Sequence, residues 1–199
     1  VSVVEAGGRR AIAYLDDEAQ GKNVVLELSN TSSALLLQDL TSCSVSLKGS
    51  SYNAVHLQNV QSTTVHIHRR VEGAIHVTGC RLLTVDAVFC HQLRLHESQK
   101  LHLTISVGSS PIMENCTEVT FRVPPDDDKS STTMEFLRDV KDFNWLRNNV
   151  PSPNFKVDTF PTTDNGQDTG ELKEKSVDER VSMNSTSQFA MNASQSPKQ

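Results

Sequence analysis

Short triplets, apolar at both ends with a variable residue between, recur along the chain in two series. The first runs Leu35/Leu37, Val55/Leu57, Ile75/Val77, Leu93/Leu95 and Pro111/Met113, at spacings of 20, 20, 18 and 18 residues. The second runs Val45/Leu47, Val65/Ile67, Val85/Ala87, Leu101/Leu103 and Val119/Phe121. A period in that range signals a solenoid. Within each triplet the side chains alternate as on a strand, so the middle residue faces solvent and stacks on its equivalent one coil away. The first outward column then reads Leu36, His56, His76, Arg94, Ile112, and the column beside it Gln38, Gln58, Thr78, His96, Glu114. On the second series the same arithmetic puts His66, Asp86 and His102 in one column.

Each coil over 34–123 offers two strands and two turns, with Asp39, Asn59, Gly79 and Asn115 at matching turn offsets. A leucine-rich repeat would need helix or a tight consensus in its second half, where this chain again alternates like strand. The pattern predicts an all-β fold, a right-handed parallel β-helix, with a short C-terminal helical or extended segment packed on it; the hand follows from the chirality of parallel crossovers. Residues 1–33 are expected to form an irregular first coil or cap, 34–123 the coils, and 124–160 an acidic loop and docking segment. Residues 161–199 are polar and aperiodic, too poor in apolar surface to offset their ordering entropy, and are expected to be a disordered tail. Within the docking segment, Phe136, Leu137, Val140, Phe143 and Leu146 have the spacing of an amphipathic helix over 134–148, stopped by Pro151 and Pro153. Phe155, Val157 and Phe160 follow as residues able to dock on the coils.

The first residue is Val and the chain opens in mid-pattern, so the natural N-terminus is expected to lie outside this sequence. Apolar runs of eighteen or more residues, the mark of a membrane span, do not occur. The net charge of -5 resides in the flanks: between residues 34 and 123 there are seven Lys or Arg against six Asp or Glu, with all seven histidines. A near-neutral repeat lacks the clustered basic footprint of a nucleic-acid binder. Cys80 and Cys116 fall in one column two rungs apart, about 10 Å at strand spacing, beyond the reach of a disulfide. Reduced, buried thiols point to a cytoplasmic protein. Histidines on rungs ~4.8 Å apart make a poor tetrahedron with no evident fourth ligand, so no metal site is expected. Gly-rich phosphate loops, H-E-x-x-H and G-x-S-x-G are all missing, so neither a stand-alone active site nor a cofactor of its own is expected.

What remains is Cys90-His91-Gln92-Leu93-Arg94-Leu95-His96, a guanidinium in mid-strand on a histidine-rich face. From spacing alone Arg94 reads as a solvated surface residue; a functional role needs a partner that lacks an arginine. Gly79-Cys80 through that segment resembles the G-C…A-C-Q-Q-L-R-x-H core of the tubulin-binding cofactor C family. Pro111-Ile112-Met113-Glu114-Asn115-Cys116 is similar to the family's [RP]-I-[IV]-E-x-C segment. Asp139-Val140-Lys141-Asp142-Phe143-Asn144-Trp145-Leu146, with Ser152-Pro153-Asn154, resembles its D-V-x-D-F-N-W…S-P-N tail. His91 departs from the first glutamine of the motif, and Leu137 stands where the family usually has Trp.

The resemblance covers residues 70–157 and implies a right-handed parallel β-helix. It further implies a GTPase-activating domain that supplies an arginine finger, Arg94, to β-tubulin held by tubulin-folding cofactors D and E, releasing αβ-tubulin. The GTP would belong to the partner, and the location would be cytoplasmic and cytoskeleton-associated. Gln92 matches the family's glutamine and would position phosphate or water; as a bare residue it reads equally as polar filler at a turn edge. His56, His76 and His96 are candidate partner contacts or a solvated ladder. Glu114 would orient the guanidinium, meet the partner or form a structural salt bridge. Phe143, Asn144 and Trp145 either cap the last coil or face the partner. Two other functions fit the same pattern: an activator of Arf-like small GTPases, which the Phe-Asn-Trp tail disfavours, and a non-catalytic binding β-helix like the actin-binding half of cyclase-associated protein.

Overall fold

Strands follow one another almost without interruption. In chain order they are β1 (Ser2–Ala6), β2 (Arg9–Tyr14), β3 (Asn23–Leu28), β4 (Ala34–Gln38), β5 (Ser44–Gly49), β6 (Tyr52–Gln58), β7 (Thr64–Ile67), β8 (Val71–Thr78), β9 (Arg81–His96), β10 (Gln99–Val107), β11 (Ile112–Glu114) and β12 (Thr117–Arg122). A helix, α1 (Ser130–Arg138), then leads to β13 (Lys141–Asp142) and β14 (Phe155–Asp158). The computed structural model describes residues 2–6, 9–14, 20–28, 34–125, 127, 130–147 and 150–158. The expected tail, 161–199, and Phe160 lie outside the described residues.

The strands coil as a right-handed parallel β-helix. One face stacks β2, β4, β6, β8, the latter half of β9, β11 and β13 in parallel. The other stacks β3, β5, β7, the first half of β9, β10, β12 and β14. At the start β1 folds back antiparallel on β2. Between the faces lies a narrow core of Val, Leu and Ile. Val45, Val65, Val85, Leu103 and Phe121 succeed one another from rung to rung on one side, and Leu35, Val55, Ile75 and Leu93 on the other, all buried.

One corner of every coil turns on two left-handed residues three apart: Asp39 and Ser42, Asn59 and Ser62, Gly79 and Leu82, Glu97 and Lys100, Asn115 and Glu118, with φ between 46° and 65°. Asp, Asn and Gly tolerate that region best, which explains the first member of most pairs. Gly79 has a second reason to be glycine, since a Cβ there would lie 2.7 Å from Asn59 Oδ1.

The first-face columns match the sequence arithmetic: Leu36, His56, His76, Arg94 and Ile112 are successive partners, and Lys141 extends the row. The second face differs. There Asp86 is opposite Thr104, and His102 is opposite Thr84, so His66, Asp86 and His102 do not share a column. The expected register slips by two residues beyond β9. A slip of two leaves every side chain on its proper face, so alternation alone could not detect it.

The expected helix over 134–148 is also shorter and earlier. It ends at Arg138, where Asp139 N–H bonds to the carbonyls of Glu135 and Phe136. Beyond it, Lys141 N–H bonds to Pro111 O at 2.8 Å and Phe143 N–H to Met113 O at 3.0 Å. The open edge of β11 captures this backbone as a strand, and Phe143 and Leu146 stay exposed instead of forming a helix face. Leu137 alone of that apolar set is fully buried.

Candidate functional site

Arg94 sits in the second half of β9 between buried Leu93 and Leu95, and its own side chain is exposed. Strand alternation dictates that placement. Its Nε donates to Gln92 Oε1 at 3.0 Å, a bond between two outward residues of one strand. That bond engages Nε–H, one of the five N–H donors of the guanidinium. Among the described residues no carboxylate forms an ion pair with Arg94.

His76 occupies the rung before Arg94, and His56 the rung before that. Their imidazoles are stacked, with centroids 4.5 Å apart and planes 2° from parallel. Burial against the sheet lowers the pKa of His56; burial, then His56 and Arg94, lower that of His76. His96 has acidic company instead. Its Nε2 lies 3.6 Å from Glu114 Oε2 and its Nδ1 3.9 Å from Glu97 Oε2. Glu114 therefore pairs with His96, and Gln92 is the residue that orients the guanidinium.

The C-terminal motif divides into parts with different roles. Phe143 is 56% exposed and, by alternation after buried Asp142, shares the face of Arg94. It does not cap the core. Trp145 is half-buried, donates from Nε1 to Val150 O at 2.9 Å, and carries the Arg147 guanidinium 4.8 Å above its ring. Asn144 fastens to the last corner: Asn115 N–H donates to its Oδ1, and its Nδ2 donates to Asn115 Oδ1 at 2.8 Å.

Asp142 is a centre of interactions that the motif alone does not reveal. Its buried carboxylate accepts from Ser152 Oγ at 2.6 Å, Asn154 Nδ2 at 2.8 Å and Asn144 N–H at 3.0 Å. The motif's polar residues thus form a clasp that locks β13 and the segment before β14 over the end of the coils. A cluster of Asp, Asn and Ser around prolines was the sequence signal for it.

The cysteines of the motif are core residues. Cys80, Cys90 and Cys116 are buried thiols outside any disulfide. Burial pushes the Cys80 thiol up to about 11 and the Cys90 thiol to about 12, the opposite of an activated nucleophile.

Fold and site together define a parallel β-helix that presents on one face an arginine oriented by a glutamine and paired with no carboxylate among the described residues. The family model described as tubulin binding cofactor C matches residues 32–145. The chain belongs to that family. It is similar to the tubulin-specific chaperone C of Schizosaccharomyces pombe, at 27% identity over 146 residues, covering 73% of this chain and 50% of that protein. The proteins of the same name from Mus musculus and Homo sapiens are 32% and 29% identical over 133 residues, covering 62% of this chain and 38% of theirs. The chain thus spans half or less of the length of these relatives.

Proposed function

We propose that this chain is a GTPase-activating module that supplies Arg94 as an arginine finger to the GTP of β-tubulin, presented by tubulin-folding cofactors D and E. The observation that carries the reading is the Arg94 guanidinium, fixed through Nε by Gln92 and paired with no carboxylate among the described residues. Arg122, by contrast, is tied to Asp158 at 3.2 Å. A finger needs its fork available for the charge that develops on the transferred phosphoryl group and the leaving oxygen. A strand on a packed coil presents that fork with little ordering entropy left to lose. The names of the relatives, tubulin-specific chaperones, direct the proposal to tubulin. On this reading GTP is held by the partner, exposed Phe143 is a partner contact, and the setting is cytoplasmic and cytoskeletal.

The test is phosphate release from GTP by tubulin with cofactors D and E and this chain. Arg94→Ala is expected to abolish stimulation, a loss on the order of 10³-fold or more, while stability changes by no more than about 0.5 kcal/mol because no cavity opens. Arg94→Lys is expected to fail as well, since a point charge does not reproduce the planar fork. Assembly with the tubulin complex should weaken far less than turnover, because the contact acts mainly in the transition state. Wild-type stimulation by Arg94→Ala refutes the finger and leaves a binding-only β-helix. Stimulation of an Arf-like protein and not of tubulin transfers the same chemistry to that partner.

A further inference from the structure

We infer that the His56–His76 stack is the positioning element behind Arg94, holding the guanidinium ready for use only while both imidazoles are uncharged. The inference rests on the finger reading and adds a proton-sensitive control to it.

The register and one hydrogen bond give Arg94 neighbours on three sides. His76 is its partner on the preceding strand, Ile112 its partner on the following one, and Gln92 holds Nε along its own strand. The histidine side is the adjustable one. Two imidazoles 4.5 Å apart and 2° from parallel form a flat platform while neutral. The same two rings carrying protons would repel each other and the guanidinium beside them.

Among the described residues, the surroundings offer such a proton no counter-charge. β4 contributes Leu36 to the column, and Asp39 just beyond that strand is bonded to Gln38 and Asn59. On β8 itself Glu72 lies 3.8 Å from Arg70. β9 contributes Arg94 and His96, and His96 stands between Glu97 and Glu114 of β11. β13 adds the cation Lys141, whose Nζ is held by Asp139. The contrast with the other face is direct: His66 Nδ1 lies 3.2 Å from Asp86 Oδ2, a ready counter-ion. Geometry therefore sets His56 and His76, which have no acid beside them among the described residues, apart from His66, which has one. The lowered pKa values of His56 and His76, caused first by burial, agree.

The sign follows. A histidine with its pKa below the ordinary 6.5 is neutral at pH 7 and above, and takes up a proton only in mild acid. Below its midpoint the neutral fraction falls about tenfold per pH unit. Stimulated hydrolysis should fall with it while the fold persists.

Two measurements on the full chain test this. In the first, the Arg94 Nε–Hε resonance and the imidazole resonances are followed by NMR from pH 7.5 to 5 without any partner. The Arg94 signal should titrate with the midpoint of His76 or His56, below 6.5, and His76→Phe should abolish or move that titration. In the second, stimulated GTP hydrolysis is compared as the ratio of wild type to His76→Phe across the same range, which cancels the partner's own pH dependence. The ratio should drop about tenfold per pH unit below the midpoint, whatever the variant's rate at pH 7.5. Should His76→Phe not fold, His56→Phe reads the same two quantities from the other half of the stack. An Arg94 signal that ignores both histidines overturns the inference regardless of turnover. A flat ratio beside a titrating Arg94 signal overturns the control of activity. If Arg94 titrates as expected but Arg94→Ala still stimulates hydrolysis, the finger reading fails and takes the regulatory role with it.

Discussion

Removing the Asp142 carboxylate should loosen the end of the helix that adjoins the Arg94 face. Asp142 is 8% exposed and accepts three hydrogen bonds, from Ser152 Oγ, Asn154 Nδ2 and Asn144 N–H. Bonds to a charged acceptor contribute about 1.5–3 kcal/mol each, and three that share one acceptor are not additive. Water can reach some of the freed donors, because Asn144 is exposed and Ser152 only half-buried. The balance for Asp142→Ala is a loss of about 3–4 kcal/mol. For a folded unit of this size, each kcal/mol lowers Tm by about 2–4 °C, so the expected drop is roughly 6–15 °C. Asp142→Asn keeps the size and one acceptor and should lose about half as much. Thermal melting gives the magnitude, and amide exchange gives the location. The Lys141 and Phe143 amides, bonded to Pro111 O and Met113 O, should lose protection before those of β6 and β8. A Tm within about 2 °C of wild type, with Lys141 and Phe143 still protected, would refute the clasp.

Val65 is fully buried and surrounded by its column mates, so Val65→Asp should cost more than about 4 kcal/mol and abolish cooperative melting. His66→Ala, one residue on and outward, removes only a half-exposed ion pair and should cost less than about 1 kcal/mol; equal effects would mean the inward and outward positions are misassigned. Gly73 faces the Asn53 carbonyl so closely that a Cβ has no room. Gly73→Ala is expected to destabilise by about 1–3 kcal/mol, measured by denaturant midpoint at constant m-value. Cys80 and Cys90 should resist thiol reagents at pH 8 in the native chain and react at once when it is unfolded. Their folded pKa values, about 11 and about 12, stand above the ordinary thiol value of 9.0, so their contribution to stability is complete below pH 9 and is lost as the pH rises through about 11 to 12. Rapid native labelling would contradict their burial.

The sequence disclosed the first face almost completely because its triplets carry a strict two-residue alternation at nearly fixed spacing. Leu35 to Met113 locate five rungs, and the outward column containing Arg94 follows from counting. Gln92 and Arg94 were legible as a pair because an outward residue's neighbour on its own side is always two positions away. The second face was legible in side but not in register, since Leu101/Leu103 and Leu103/Ile105 are equally good matches for Val85/Ala87. Beyond the coils, Val140, Phe143 and Leu146 imitate a helix; only the unpaired edge of β11, a tertiary fact, turns that stretch into strand. The clasp stayed hidden for a related reason. Asp142, Ser152 and Asn154 are separated in sequence and meet only once β13 is in place.

The coil that carries Arg94 is the first to be two residues shorter than its predecessors, and the missing residues come from the corner between the two faces. From Ile67 to Ile75 the chain takes eight steps; from Ala87 to Leu93 it takes six, and β9 runs through the bend as one strand. An even change keeps parity, so Leu93 and Leu95 still point inward and Arg94 outward. One residue gained or lost between Ala87 and Gln92 would reverse that order, driving the guanidinium into the core and leucines onto the surface, unless a bulge absorbed it as one does between Val71 and Ala74 on the preceding coil. Length variation at this bend is therefore tolerable in pairs, or singly where a bulge takes up the odd residue, and that parity decides whether the arginine side chain reaches the surface.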